Sequence, residues 1–329
     1  MPEHGTAPAP GVWGADVLGP DFEALTLPLP EGAEATLVRH VPSTPGTGTV
    51  DDARRVAVLY VHGFVDYFFH PHVAAALAGR GYAFYALDLR GYGRSLTSHT
   101  AAGHDPNLVT DLALHAQDLD AAAAVVRAAG HERLVVLGHS TGGLVAPLWA
   151  AGRTGRADAL VLNSPWLDLN EGWLQRGPAT WAIEAIGGVA PRFVVGSIHE
   201  HYGRALHHAS GGEWEFDLTW KPHEGFPARA GWMRSVRRAH RRVSRGLGLD
   251  LPVLVLASDR SGPHKTWHPD VLTTDSVLDV AHIRDLGLRL GRDVTVVEVA
   301  GGAHDLALSP SPARERYLDT VADWLDTHV

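Results

Sequence analysis

The amino-acid sequence predicts an α/β protein whose mostly parallel sheet carries helices on both faces. Short apolar runs alternate with helix-length segments along the chain, which is the pattern of βαβ units. The run Val56 to Val61 is apolar at every position, as expected for a strand buried on both faces. The chain has 329 residues, of which 45% are hydrophobic, so it can bury a large core without disulfides.

The predicted elements follow this alternation in order. The first 12 residues are rich in Pro, Gly and Ala and predict a flexible tail. Two strands, 22–27 and 35–41, flank the turn at Pro30-Glu-Gly32. Further strands are predicted over 55–61, 82–89, 133–137, 157–162, 251–257 and 294–299. Helices are predicted over 71–79, 107–129, 141–151, 277–290 and 313–328.

The alternation stops between Pro165 and Asp250 and then resumes. We therefore expect residues 13–164 and 251–329 to form the core, and residues 165–250, called the insertion below, to form a helical cap. The insertion holds more than half of the ten tryptophans, which is typical of an apolar pocket or of a core within the cap itself. Its arginine-rich segment 229–245 predicts an amphipathic helix whose basic side is either solvated or contacts an anionic substrate or surface.

Composition excludes several functional classes. The net charge of −9 argues against a dedicated nucleic-acid-binding protein. The absence of cysteine excludes a thiol nucleophile and thiolate metal ligands. Neither a secretory signal nor an apolar run of the ~20 residues needed for a membrane span is present, so we expect a cytoplasmic protein. The histidine pairs lack zinc-protease spacing, and we expect no metal or cofactor.

The motif Gly138-x-Ser140-x-Gly142 carries the chemistry. An apolar strand leads directly into it and a helix-forming segment leaves it, which is the context of a sharp turn that exposes a nucleophilic serine. A serine hydroxyl needs a histidine base that is itself oriented by a carboxylate. His304, in the loop after the last predicted strand, is the candidate base. Asp259 and Asp275 are both candidates for the carboxylate.

Acyl transfer also needs hydrogen-bond donors for the developing oxyanion. The backbone amides of Phe64 and Thr141 are the candidates, since Phe64 lies in the loop after the predicted strand 55–61 and Thr141 follows the serine. His62 is most simply explained as a support for the loop before Phe64. We also count His62, His139 and Trp166 as candidate substrate contacts.

Five segments, in order along nearly the whole chain, resemble the α/β-hydrolase superfamily. They are His62-Gly-Phe64, Ala86-Leu-Asp-Leu-Arg-Gly-Tyr-Gly-Arg-Ser95, Gly138-His-Ser-Thr-Gly-Gly143, Asn163-Ser-Pro165 and Gly301-Gly-Ala-His-Asp305. The resemblance is to the serine-hydrolase branch, whose members are similar to monoacylglycerol lipases, lysophospholipases and serine aminopeptidases. It implies an α/β-hydrolase fold with an eight-stranded, mostly parallel sheet and a cap inserted after the sixth strand.

The resemblance also has consequences for the choice between Asp259 and Asp275 and for the reaction that we expect. The string from Asp275 into the next predicted helix resembles the family's acid loop, which favours Asp275, but this loop is longer than usual and leaves Asp259 open. Serine at position 140 disfavours the epoxide hydrolases and haloalkane dehalogenases, which use aspartate there. We expect a serine hydrolase that cleaves a small-molecule carboxylic ester with an apolar acyl or aromatic group through an acyl-enzyme. Acyl transfer, thioester or peptide cleavage, and non-catalytic ligand binding are the alternatives.

Overall fold

A computed structural model describes residues 11–41, 55–170 and 178–329 of the chain. In this part of the chain the central sheet has nine strands, in the order β1-β2-β3-β5-β4-β6-β7-β10-β11. Their bounds are β1 Gly14–Asp16, β2 Gly19–Pro28, β3 Glu34–His40, β4 Val56–Val61, β5 Ala83–Asp88, β6 Arg133–His139, β7 Ala159–Asn163, β10 Val253–Ser258 and β11 Val294–Val299. From β5 to β11 all neighbouring strands are parallel, whereas β1, β2 and β3 pair antiparallel at one edge.

The predicted α/β class is confirmed, and the sheet has one strand more than the eight implied by the resemblance. The additional strand is β1, which covers three residues at the antiparallel edge. Its end is held by a buried ion pair, since Arg94 donates to both carboxylate oxygens of Asp16 at 2.6 and 2.8 Å. Arg94 lies 78 residues after Asp16, and a three-residue strand is too short to show a hydrophobic period. The sequence therefore does not predict β1. Most of the predicted flexible tail falls outside the described residues.

Helices cover both faces of the sheet, as predicted. The helices of the described residues are α1 Pro71–Gly79, α2 Leu96–Ala101, α3 Ala113–Ala128, α4 Gly142–Gly152, α5 Pro178–Val189, α6 Glu200–Leu206, α7 Ala230–Ser244, α8 Val280–Gly287 and α9 Ala313–His328. α3, α4 and α8 pack on one face, and α1 and α9 pack on the other. Along β4, Leu59 points to the first face and Val58 to the second, which explains why this strand is apolar at every position.

Two helices are shorter than predicted: α8 covers only Val280–Gly287 of the predicted 277–290, and α3 begins late. Helical periodicity extends over 107–129, but α3 begins only at Ala113. The preceding residues are drawn into other contacts: Asn107 has a positive φ of 57° and its side chain donates to the Gly91 carbonyl. The Leu112 amide donates to the Ser235 hydroxyl of the insertion at 2.6 Å. These long-range bonds replace the first turns of the predicted helix.

The insertion lies between two adjacent strands of the sheet, β7 and β10. It contains α5, α6, α7 and a two-stranded antiparallel sheet of β8 Val194–Gly196 and β9 Ala228–Arg229. The face of α7 that carries Trp232 and Val236 joins the core on the α3 and α4 side of the sheet. Among the residues that the structure describes, no helix is long and apolar enough to cross a membrane.

Candidate active site

Ser140 lies in a sharp turn between β6 and α4. Its φ is +51°, in the left-handed region that residues other than glycine seldom adopt. Two backbone hydrogen bonds hold this conformation: the Ser140 amide donates to the Asn163 carbonyl at 3.0 Å, and the Ser140 carbonyl accepts from the Trp166 amide at 2.9 Å. The serine is therefore presented at the carboxyl end of the parallel strands by a strained turn that its neighbours support.

The two glycines of the motif are required by close backbone contacts. A Cβ on Gly142 would lie 2.2 Å from the Val61 carbonyl oxygen, and a Cβ on Gly138 would lie 2.5 Å from the Gly142 carbonyl oxygen. Neither contact can be relieved by rotating a side chain, because both involve backbone atoms. The glycines thus allow β6, α4 and the end of β4 to meet around the serine, which is the geometry that the motif predicts.

His304 and Asp275 form a buried pair. The Nδ1 atom of His304 lies 3.0 Å from Oδ1 and 3.1 Å from Oδ2 of Asp275, whose side chain is fully buried. Oδ1 also accepts hydrogen bonds from the backbone amides of Val277 and Leu278, at 3.0 and 2.7 Å. These amides orient the carboxylate, and a proton held on Nδ1 leaves the lone pair of Nε2 available to a serine hydroxyl.

The other candidate acid does not contact His304. Asp259 is exposed, and its Oδ1 accepts a hydrogen bond from the Gly301 amide at 2.8 Å. It therefore supports the start of the loop that carries His304 instead of orienting the imidazole. Of the two alternatives left open by the sequence, the structure brings Asp275 to the histidine.

Asp305, the residue after His304, anchors the histidine loop from beneath. Its Oδ1 accepts from the Asn163 side chain at 2.7 Å, and its Oδ2 lies 3.2 Å from Nε2 of His70. Burial alone would raise the pKa of Asp305, but His139, His70 and Asn163 stabilise the carboxylate enough to hold its pKa well below the usual value. Asp305 is thus a fixed anion that positions its neighbour.

Phe64 and Thr141 line the same cavity as Ser140 and His304. Within residues 11–41, 55–170 and 178–329, neither backbone amide donates a hydrogen bond to another group of the protein. Unpaired amides beside a serine turn are suited to bind an oxyanion. Phe64 and Thr141 therefore stay the predicted oxyanion donors.

The cavity beside Ser140 has a volume of about 470 Å³ and lies between the core and the insertion. One part of its wall is aromatic: the Phe64 and Trp232 rings stack with centroids 4.0 Å apart, and Trp166 packs against Trp232 at 5.6 Å. The remaining wall includes the polar side chains of Asp66 and Lys221. This division fits a ligand with one apolar and one polar part.

Two of the three predicted substrate contacts border this cavity. His139 and Trp166 line it, and burial lowers the pKa of His139 to about 4 despite the nearby Asp305, so this imidazole is neutral at pH 7. His62 does not line it, and the expected contact with substrate is wrong. Its side chain is fully buried, with Nδ1 donating to the Gly63 carbonyl at 2.7 Å and Nε2 accepting from the Leu89 amide at 3.0 Å. Both ring nitrogens are used to hold the loop.

The arginines of helix α7 do not all lie on its outer side. Arg237 is buried and lines the cavity, where its Nη1 donates to Asp168 at 2.7 Å and to Nδ1 of His240 at 3.0 Å. Arg237 lies four residues after the partly buried Met233, so both lie on the inner face of the helix. This spacing is visible in the sequence and indicates the inward position of Arg237. Arg238 and Arg242 are exposed, and their contact with an anionic surface stays a prediction.

Sequence reasoning missed three polar residues at the cavity. Asp66 and Lys221 form an ion pair of 2.6 Å that joins the core to the insertion. The hydroxyl of Tyr202, also in the insertion, accepts a hydrogen bond from the Asp305 amide at 2.9 Å, and its ring packs against His304. No local motif marks these residues, because their partners lie far away in sequence. Among the described residues, no three His, Asp or Glu side chains converge as a metal site.

Comparisons with known proteins agree with this geometry. A family model described as serine aminopeptidase, S33, matches residues 52–266. A monoacylglycerol lipase from Mycolicibacterium smegmatis is 26% identical over 292 residues, which cover 85% of this chain and 91% of that protein. A monoglyceride lipase from Saccharomyces cerevisiae has a similar structure, with a TM-score of 0.63 and 15% identity over 91% of this chain and 94% of that chain.

A carboxyl esterase from Bacillus coagulans shares the fold, with a TM-score of 0.65 and 13% identity over 94% of this chain and 99% of that chain. At these identities the two solved structures establish the fold alone. The family model covers well over half of the chain and includes the candidate nucleophile and its oxyanion loop. The chain thus belongs to the serine aminopeptidase S33 family and is a serine hydrolase with the α/β-hydrolase fold.

Proposed function

We propose that this serine hydrolase cleaves carboxylic esters with an apolar acyl or aromatic group, with Ser140 as nucleophile, His304 as base and Asp275 as the orienting acid. The observation that carries the proposal is the buried Asp275–His304 pair, whose histidine shares a partly aromatic cavity with Ser140. The similarity to a monoacylglycerol lipase supports a fatty acyl ester. Residues 165–250 act as the cap that encloses the acyl group.

The proposed reaction proceeds in two halves. His304 Nε2 removes the hydroxyl proton of Ser140 as its oxygen attacks the ester carbonyl, and the carbonyl oxygen becomes an oxyanion held by the amides of Phe64 and Thr141. The protonated His304, stabilised by Asp275, then donates the proton to the leaving alcohol, and an acyl-enzyme remains. Water, deprotonated by the same imidazole, attacks the acyl-enzyme; the bond between Ser140 and the acyl group breaks, His304 returns the proton to the Ser140 oxygen, and the carboxylic acid is released.

Peptide cleavage is the alternative suggested by the family's description. An aminopeptidase site needs an anionic group for the free amine of its substrate. Asp66 is a carboxylate on the cavity wall, but Lys221 already binds it at 2.6 Å. This engagement favours an ester over an aminoacyl amide as the substrate.

The proposal is tested with p-nitrophenyl esters from acetate to palmitate and with aminoacyl p-nitroanilides. We expect ester hydrolysis by the wild type and a loss of at least about 1,000-fold in Ser140→Ala, because the nucleophile is removed. Ser164→Ala is the matched control, since Ser164 is also buried with a positive φ of 45° and is not part of the cavity wall. Equal ester turnover by Ser140→Ala and the wild type, or faster turnover of anilides than of esters, would overturn the proposal.

A further inference from the structure

An ion pair connects the insertion to the loop that carries the candidate oxyanion donor. The Nζ atom of Lys221, in the insertion, lies 2.6 Å from Oδ1 of Asp66. The other oxygen of Asp66 accepts a hydrogen bond from the Gly63 amide at 3.3 Å. Gly63 precedes Phe64, so the carboxylate is bonded to the residue next to the proposed oxyanion donor.

The carboxylate of Asp66 also lies close to the nucleophile. A methyl group on Gly63 would lie 3.2 Å from Cβ of Ser140 and 3.6 Å from Oδ2 of Asp66. The serine and the carboxylate therefore flank the same glycine. Asp66 is 3% exposed and is part of the cavity wall, as is Lys221.

A buried carboxylate at this place creates an electrostatic problem for acyl transfer. The transition state develops a negative charge on the carbonyl oxygen, and a second negative charge nearby opposes it in a site with little water. Burial alone would raise the pKa of Asp66, but Lys221, followed by His139, His70 and His62, together more than offset this, so the pKa lies below its usual value. Asp66 is thus ionised, and the insertion supplies much of its compensation.

We propose that Lys221 is a positioning residue of the catalytic centre: it neutralises Asp66 beside the oxyanion hole, so that the amides of Phe64 and Thr141 can stabilise the transition state. The inference rests on the proposed function, because it assumes that Ser140 is the nucleophile. It means that the insertion completes the electrostatics of the reaction besides enclosing the acyl group. Without Lys221, the loop that donates to the oxyanion carries an anion that has lost its ion-pair partner.

The test is a double-mutant cycle of Lys221→Met and Asp66→Asn. The readouts are kcat and KM on p-nitrophenyl butyrate and the rate constant for phosphonylation of Ser140 by a p-nitrophenyl alkylphosphonate, which requires the nucleophile, its base and the oxyanion hole but no deacylation step. We expect Lys221→Met to lower kcat and the phosphonylation rate by about 10- to 100-fold, with a small change in KM. The double variant should react faster than Lys221→Met, because the neutral amide that replaces the carboxylate carries no charge to be compensated.

A role only in docking of the insertion predicts that in Lys221→Met KM rises and the melting temperature falls together with kcat, because the unpaired buried carboxylate then weakens the fold instead of the transition state. Lys265→Met is the control, because Lys265 is exposed and is not part of the cavity wall. If Lys221→Met does not fold, as judged by thermal unfolding, Lys221→Arg and Lys221→Gln test the same charge, and the arginine variant must react faster.

The outcomes separate the two proposals. A wild type that is not phosphonylated at Ser140 overturns the proposed function and this inference with it. A wild type that reacts, with Lys221→Met reacting at the same rate, leaves the serine hydrolase mechanism intact and refutes the role of Lys221. A double variant as slow as or slower than Lys221→Met also refutes it.

Discussion

Replacing Asp275 by asparagine is the most direct test of how His304 is oriented. The remaining oxygen of asparagine can still accept from the Val277 and Leu278 amides, which bond to Oδ1 of Asp275 at 3.0 and 2.7 Å. The new NH2 group then faces Nδ1 of His304 and favours the tautomer with its proton on Nε2. That tautomer cannot accept the proton of Ser140. The fold should persist while the base is lost.

The magnitude follows from the 3.0 Å separation of Nδ1 and Oδ1. In the transition state His304 is positively charged, and at an effective dielectric constant of about 20 its attraction to the carboxylate is worth about 5.5 kcal/mol. At about 1.4 kcal/mol per tenfold change, this corresponds to roughly 10,000-fold in rate. The same substitution in a serine protease triad lowers kcat by a similar factor, about 10,000-fold.

The assay compares kcat/KM of Asp275→Asn and Asp259→Asn on p-nitrophenyl butyrate, with thermal unfolding of each. Asp259 is exposed, and among the described residues its side chain accepts a hydrogen bond from the Gly301 amide alone, so its variant should stay within about twofold of the wild type. Equal losses in the two variants, or more than a tenth of wild-type activity in Asp275→Asn, would refute the assignment of the acid.

Three further substitutions test other parts of the structure. Gly142→Ala should abolish activity and lower the melting temperature, because its Cβ would lie 2.2 Å from the Val61 carbonyl; wild-type values would contradict the required turn. Trp232→Ala removes the ring stacked on Phe64, so kcat/KM should fall about tenfold more for palmitate than for acetate esters, and an unchanged chain-length profile would contradict an acyl-binding wall. Burial is the main cause that lowers the pKa of His72 from 6.5 to about 4. The unfolded chain therefore binds a proton on His72 at a higher pH than the folded chain does, and the free energy of unfolding decreases as the pH falls from 6.5 to 4. In His72→Gln the pH dependence of the free energy of unfolding, from urea titrations over that window, should be flatter by about 1.4 kcal/mol per pH unit, and an unchanged slope would contradict the buried neutral state.

The features that sequence predicts well are those encoded within a few residues. The bounds of α1, β11 and α9 match their predicted ranges, because hydrophobic periodicity and flanking turn residues act locally. The motif around Ser140 is equally local: backbone atoms of adjacent segments exclude any Cβ at its glycines. Parallel strand ends then bring the serine turn and the histidine loop to one edge of the sheet.

The features that sequence reasoning missed depend on partners that lie far apart in the chain. The sequence predicts that His62 supports its loop, but the partner of its Nε2, the Leu89 amide, is not indicated by anything within the motif around His62. Lys221 and Asp66 are separated by 155 residues, so their pairing follows only from the fold. Order along the chain leaves Asp259 and Asp275 as candidates for the acid of the triad. The contact between Asp275 and His304 follows only from the course of the long loop before α8.

Asn163, at the end of β7, couples the serine turn to the histidine loop. Its carbonyl accepts from the Ser140 amide at 3.0 Å, while its side chain donates to Asp305 at 2.7 Å and accepts from the Leu306 amide at 3.2 Å. A positive φ at a residue other than glycine costs about 1–3 kcal/mol, which these bonds offset. Since one fully buried residue holds both loops, the placement of Ser140 and His304 is set by the strand ends and not by hydrogen bonds within the proposed triad. This is why substitutions within the triad are expected to remove activity and spare the fold, whereas the loss of Asn163 would release both loops together.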